Sequence, residues 1–408
     1  MLKLDIIPRF ALPYSPGDFV AALGALCRRR IVSPAPFDAL FGAGEKFWAG
    51  SGRQALWLVL KALRLPPGSG VAIPLYNDLS VSTAVVKAGY RPVFIDVSES
   101  SITMAPASLA AAAGRFSAVI AVHLFGNVAD IRAICQAAGQ VPLIEDTVHA
   151  PLSRLDNQEL GSFGIASFHS FGSTKYWPAG GGGLLVVRDA EVAAQVAAEA
   201  KSLQRWSAFS EWRNLALQAA KTITFRRRLY GIIGVPNRGW AEKKAILEPE
   251  LNHHGIQRHH AAVAVRQAAR FRRRVASQRQ NSLYLLSLLQ DLENVVLPAE
   301  WPGAEYNYHI FPVLVADAEE RAKIRAAMLA RGVDTSQLYS DVIEHSRKLG
   351  YQGGCPVSES VADRLITLPN YAALSKADIE RVALAFRDAL RLCRQRRQTS
   401  DSLLLAAG

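Results

Sequence analysis

VAIPLYNDLSVSTAVVKAGYRPVFIDV (71–97) sets two apolar runs, VAIPL and RPVFIDV, on either side of a helical stretch, LSVSTAVVKAG (79–89). Neither run alternates apolar with polar residues, so both faces are built for burial. A strand of that kind, a helix and a second such strand make a βαβ unit in a parallel sheet. The same alternation extends in both directions. SAVIAVHLF (117–125), VPLIEDT (141–147), GIASFHSF (164–171) and GGLLVVRD (182–189) read as further strands. RQALWLVLKALRL (53–65), PASLAAAAGRF (106–116) and VADIRAICQAAG (128–139) read as the helices between them. The expectation is an α/β domain whose mainly parallel sheet is covered on both sides.

From Ala190 to about Gln280 the chain turns helical, polar and arginine-rich, with a break at GVPNRG (234–239). A smaller α/β part then follows. It holds a strand at NYHIFPVLV (307–315), a helix at EERAKIRAAMLARG (319–332), another helix near SVADRLITLP (360–369) and a long helix from Ser375 to about Arg397. TSDSLLLAAG at the end reads as a loose tail. The expected domains are 1–238 and 239–408, in keeping with a length of 408 residues.

Composition narrows the function classes. Half of the residues are hydrophobic and a fifth are charged, which excludes a disordered or fibrous chain. No run of 18 apolar residues exists, and the N-terminus carries Asp5, Arg9 and three prolines where a signal peptide needs apolar residues. Cys27, Cys135, Cys355 and Cys393 lie far apart, as reduced thiols of a cytoplasmic protein do. The net charge of +12 gathers at Arg226–Arg228, at Arg270–Arg274 and between Arg391 and Arg397. No nucleic-acid-binding signature accompanies it, so solvated arginines on an enzyme are expected, not a nucleic-acid or membrane surface. His253, His254, His259 and His260 have no acid or cysteine beside them, and adjacent histidines diverge on a helix, so no metal site is expected.

Three segments carry chemistry. In SFHSFGSTKYWPAGGGGLLVV (167–187), Lys175 follows a strand and precedes Gly180–Gly183; alone it is equally a surface lysine in a glycine-rich hairpin. In VPLIEDTVHAPL (141–152), Glu145 and Asp146 end an apolar strand, where parallel sheets place ligands. A buried acid needs a partner, or else it caps the next helix. In SGRQALWLVLKAL (51–63), Ser51, Gly52 and Arg53 open a helix whose N–H groups suit an anion, although serine is also an ordinary N-cap. An amine, an acid that can hold a ring nitrogen protonated, and a phosphate cradle are the parts that pyridoxal 5′-phosphate (PLP) chemistry requires.

Together these segments resemble the DegT/DnrJ/EryC1/StrS family of PLP-dependent aminotransferases. SGRQAL resembles its SGTxAL segment, 71–97 its G-x-x-P-V-F-x-D-V signature, and VHLFGNVADIRAI (122–134) its HLYG-x-x-x-D-M-x-x-I. IEDTVHA (144–150) is similar to IEDAAQA, and GSFGIASFHSFGSTKYWPAGGGGLLV (161–186) to GSFGDxxxFSFHPTKxxTxGEGG. ARGVDTSQLY (330–339) and ITLPNYAALSKADIERV (366–382) resemble two later stretches. The resemblance implies the aspartate aminotransferase fold (fold type I), with a seven-stranded-type sheet in the large domain, and a homodimer.

By that resemblance Lys175 is the Schiff-base lysine and Asp146 the pyridinium partner, with Gly52, Arg53 and Ser170 on the phosphate. His149 replaces the family's glutamine beside the ring; its protonation would make that contact pH-dependent. Tyr76 is the nearest aromatic residue for stacking on the ring, with Leu79 as an apolar substitute. His123 is expected to be a satisfied buried histidine. ELNHHGIQRHHAAVAV (250–265) departs from the family's G-x-N-x-R-M element, leaving Asn252 and Arg258 as substitutes for its contact with the neighbouring subunit. The implied reaction moves an amino group from an amino acid, glutamate by analogy, to a keto-sugar, nucleotide-linked and so anionic, in saccharide or secondary-metabolite synthesis. Alternatives are a PLP-dependent dehydratase or lyase, a PLP-bound sensor, and a basic non-enzymatic protein binding nucleic acid or membrane. Dehydratase relatives commonly replace the lysine with histidine, so Lys175 speaks against that subtype.

Overall fold

The computed structural model describes residues 5–236 and 251–407. Seven strands form the main sheet: β1 (Glu45–Ala49), β2 (Gly70–Pro74), β3 (Arg91–Ile95), β4 (Ala118–Val122), β5 (Leu143–Asp146), β6 (Ala166–Ser170) and β7 (Gly183–Val187). Their order is β1-β7-β6-β5-β4-β2-β3. Pairing is parallel from β3 through β6, and β7 runs antiparallel to both β6 and β1. β2, β4, β5 and β7 are buried along their whole length, as runs apolar on both faces must be. Helix α1 (Pro16–Arg28), ahead of β1, and the crossover helices α2 (Gly52–Ala62), α3 (Leu79–Lys87) and α4 (Ile131–Ala138) begin on side-chain caps: Ser15, Ser51, Asp78 and Asp130.

Beyond the sheet come α5 (Ala190–Ala200), α6 (Ala208–Thr224) and α7 (Arg258–Ser287). The expected domain boundary at Arg238 lies outside the described residues. Helix α7 packs against α1, and its arginines are less free than composition suggested. Arg270 pairs with the buried Asp18, Arg272 with Glu159, and Arg274 donates to the Tyr176 carbonyl.

In the C-terminal part, β8 (Phe311–Leu314) pairs antiparallel with β9 (Leu365–Leu368) beside α8 (Ala318–Ala330). The helix expected near 360–369 ends at Arg364, and Leu365–Leu368 is strand β9. LITL is buried on both sides, and pairing with FPVL satisfies its backbone. Helix α9 runs from Lys376 to Ala407, into the stretch expected as a tail. Phe311, Val313, Ile366 and Leu368 share one core cluster with Ala72, Val119 and Ala121 of the main sheet. None of the described helices is long and apolar enough to cross a membrane.

Candidate active site

The parallel strands β4, β5 and β6 end together, and the N-terminus of α2 meets them there. Their ends border a partly open pocket. Gly52, Arg53, Asp146, His149, Ser170 and Lys175 line it, so six of the seven residues singled out from the sequence converge.

Gly52 is required by the closeness of α2 to β6. A Cβ on Gly52 would stand 2.8 Å from the Ser170 Cβ, inside any tolerable contact. Ser51 caps the same turn by accepting from the Gln54 N–H at 3.1 Å. The glycine run threads beneath this turn. Gly182 has φ +93°, and a Cβ on Gly183 would lie 2.6 Å from the Ser51 backbone. Lys175 stands in the loop between β6 and β7, where its neighbours Tyr176 and Trp177 are buried against Phe271. Two aromatic anchors thus fix the loop while the lysine turns into the pocket.

Lys175 Nζ lies 3.1 Å from Asp78 Oδ2 and 3.5 Å from His149 Nε2. Asp146 ends β5 with 6% exposure; its Oδ1 accepts from the Val148 N–H at 2.9 Å. Burial raises its carboxyl to about 7; the Val148 hydrogen bond and Lys175 oppose the rise, and the nearby Asp78 adds to it. Glu145 faces the other side of the strand. There it accepts from the amides of Gly161, Phe163 and Gly164 and pairs with His123 Nε2 at 3.2 Å. His123 is therefore a satisfied structural histidine, its Nδ1 accepting from the Ala129 N–H.

His149 corrects one expectation. Burial pulls its imidazole down to about 3, and Lys175 adds to the effect. The ring is thus neutral across the physiological range, not pH-dependent there. Its Nδ1 accepts from the Phe125 N–H at 3.3 Å, which leaves the proton on Nε2, the nitrogen beside Lys175.

Tyr76 is not brought to the pocket. It is fully buried, donates to the Leu338 carbonyl at 2.6 Å, and meets Phe125 and Tyr339 edge-on. Leu79 faces the core beneath α3 and does not line the pocket either. Val122, Val148 and Phe168 supply apolar lining instead.

Asp78 and Tyr339 went unread in the sequence. Asp78 caps α3 through Oδ1 and offers Oδ2 to Lys175 and to the Tyr339 hydroxyl at 3.4 Å. Burial alone would lift its carboxyl, but Lys175 and the Ser80 amide prevail and hold it below the ordinary carboxylate range. Its signal, an acid just past the end of an apolar strand, was the one used for Asp146. Tyr339 has φ +59° and stacks on Phe125, itself at φ +64°. Two side chains held in a region that favours glycine mark a site the surrounding packing constrains.

Arg258 is turned away from this pocket. It pairs with Glu211 of α6 through its backbone N–H and guanidinium. Asn252 Oδ1 accepts from the His254 N–H at 2.9 Å. No group of acids, cysteines and histidines among the described residues is arranged to hold a metal.

The sequence profile of the DegT/DnrJ/EryC1/StrS aminotransferase family matches residues 35–387. The chain belongs to this family. Among relatives of this aminotransferase, a UDP-N-acetyl-3-dehydro-α-D-glucosamine 3-aminotransferase of Acidithiobacillus ferrooxidans is 29% identical over 359 residues, 86% of each chain. A dTDP-4-dehydro-2,3,6-trideoxy-D-glucose 4-aminotransferase of Saccharopolyspora spinosa is 27% identical over 350 residues, 83% of each. Among solved structures, the aminotransferase TlmJ of Streptoalloteichus hindustanus superposes with a TM-score of 0.77 at 22% identity, covering 95% of this chain and 99% of its own. The fold is that of the fold type I transferases, as the sequence motifs implied. Membership of an enzyme family sets aside the reading as a non-enzymatic basic protein.

Proposed function

We propose that this aminotransferase uses PLP to move an amino group from an amino acid, glutamate by family analogy, onto a nucleotide-linked keto-sugar. The observation that carries the cofactor assignment is the donor set around one pocket. A primary amine, a buried carboxyl that keeps its proton to about pH 7 and a helix N-terminus closed by Gly52 face each other there. Each complements one part of the cofactor.

Lys175 Nζ would hold the aldehyde carbon, and the Asp146 carboxylate a proton on the ring nitrogen. The neutral His149 would donate from Nε2 to the ring hydroxyl. The Gly52 N–H, the Arg53 guanidinium and Ser170 Oγ would hold the phosphate, aided by the α2 dipole. When bound, PLP supplies a carbonyl for amines to add to and a ring that draws electrons from the substrate's Cα–H bond. Lys175 would be the amine that carries the proton from that carbon, and Asp78, 3.1 Å from Nζ, the anion that steadies it when charged. Val122, Val148 and Phe168 give the pocket apolar lining beside these groups.

The acceptor class rests on the substrates named for the two relatives, both nucleotide-linked keto-sugars. Arg53 lines the pocket, whereas Arg258, Arg270, Arg272 and Arg274 serve other partners. The large part up to residue 238 would bind the cofactor, with residues from 239 onward forming the smaller domain. The chain would act as a homodimer in the cytoplasm. Borohydride reduction of the loaded protein followed by peptide mapping tests the lysine. The label belongs on Lys175, and a label on any other lysine refutes the assignment. Assay with glutamate against keto-sugar nucleotides, free keto-sugars and keto acids tests the acceptor; turnover confined to keto acids would overturn it.

A further inference from the structure

Helix α6 packs on the protein through Glu211, Leu215 and Gln218. Its opposite side is where the observations lead. Phe209, Trp212, Leu217 and Ile223 are 76, 45, 53 and 51% exposed. At 3.6 residues per turn they fall on one outward arc with Ala216 and Ala220, an apolar stripe about 20 Å long. Soluble chains rarely leave so much contiguous apolar surface to water without a use for it.

The charges beside the stripe are of one sign. Arg213 is exposed within the stripe, between Phe209 and Leu217, Lys221 is exposed at its edge, and Arg226 and Arg228 are exposed just beyond its end, before the exposed Ile232 and Ile233. The one acid of α6, Glu211, is buried on the inner side and already holds Arg258. We infer that the outer face of α6 lies flat on an anionic membrane surface, its aromatic and aliphatic side chains entering the headgroup boundary and its cations meeting lipid phosphates. Large apolar side chains accompanied by exposed Lys and Arg, with no exposed acid, are the composition of interfacial helices.

A second copy of this chain fits the face less well. Two-fold pairing would set the cations of one copy's α6 against those of the other, with no exposed carboxylate on α6 to separate them. The stripe also lies apart from the pocket residues, so the inference stands independently of the substrate and the cofactor.

The experiment is co-sedimentation of the full-length, cofactor-loaded protein with vesicles of equimolar phosphatidylglycerol and phosphatidylcholine, compared with phosphatidylcholine alone. Partition onto the anionic vesicles should be at least about tenfold stronger and should weaken as salt is added. The double variant F209S/W212S should lose most of that partition, as should R213E/K221E, with turnover in solution unchanged. Equal partition onto both vesicle types, or none onto either, overturns the inference. So does a change from dimer to monomer in F209S/W212S, which would assign the face to a second copy.

Discussion

Asp146→Asn should make the cofactor-free protein more stable above pH 7 while spoiling it as a catalyst. Asn keeps the shape of Asp, and its Oδ1 still accepts from the Val148 N–H that now lies 2.9 Å away. What it removes is a carboxyl that holds its proton to about pH 7 when folded, against 3.8 as the ordinary value. Between those two values the folded state binds a proton that the unfolded state has released. Wild-type stability is therefore undiminished by this group below 3.8, falls as pH rises through the window, and stays depressed above 7. At 1.36 kcal/mol per pKa unit, the deficit above pH 7 is about 4 kcal/mol. Urea unfolding of wild type and Asp146→Asn across this range reads it directly: the variant should lead by that amount above pH 7, and the lead should shrink steadily toward pH 4. Adding PLP should reverse the order, because a protonated ring nitrogen gives the carboxylate the partner that Asn cannot be. A lead that does not change with pH, or a variant weaker than wild type above pH 7, would refute the reasoning.

Lys175→Ala should fold with little loss, because the partner it leaves, Asp78, still has 34% of its side chain in contact with solvent; turnover and the borohydride label should both vanish. A Gly52→Ala substitution forces a Cβ to within 2.8 Å of Ser170 Cβ, and the displaced turn should weaken PLP binding by about tenfold or more, roughly 1.4 kcal/mol; equilibrium dialysis measures it, and unchanged affinity would move the phosphate elsewhere. Arg258→Ala strands Glu211, whose side chain is 3% exposed, and should cost about 3–5 kcal/mol in thermal or urea unfolding. The double variant Arg258→Met/Glu211→Leu should recover most of that loss, and failure to do so would mean that the pair is not what holds α6 to α7.

Where the sequence was legible, the information was local. Strands β2, β4, β5 and β7 announce themselves because burial on both faces forces unbroken apolar runs, and SGRQAL, VPLIED and STKYW each carry their chemistry within a few residues. Asp78 shows the limit. Its role depends on the approach of Lys175, 97 positions later, and of Tyr339, 261 positions later, and no short window holds that information. Leu365–Leu368 was absorbed into a helix because the periodicity of 356–364 runs straight into it, and only its pairing with Phe311–Leu314 makes it a strand. His149 was misjudged for a related reason: its type suggests titration near neutrality, but burial decides otherwise. Tyr76 was chosen as an aromatic close to the strand end, and its side chain turns toward Leu338 instead.

The hydroxyl that Tyr339 extends to Asp78 also orders events during synthesis of the chain. Lys175 leaves the ribosome about 160 residues before Tyr339, and Asp146 about 190 before it, an interval on the order of ten seconds at ordinary translation rates. Strand β9 follows Tyr339 in the chain, so throughout that interval the nascent chain lacks the β8–β9 pair, whose side chains complete the core beneath the main sheet. A nascent chain halted before residue 339 should therefore not retain the cofactor, even though the lysine, the acid and the glycine turn are all present. On that expectation loading with PLP would be deferred to nearly full-length chains, and prematurely terminated products would not sequester it.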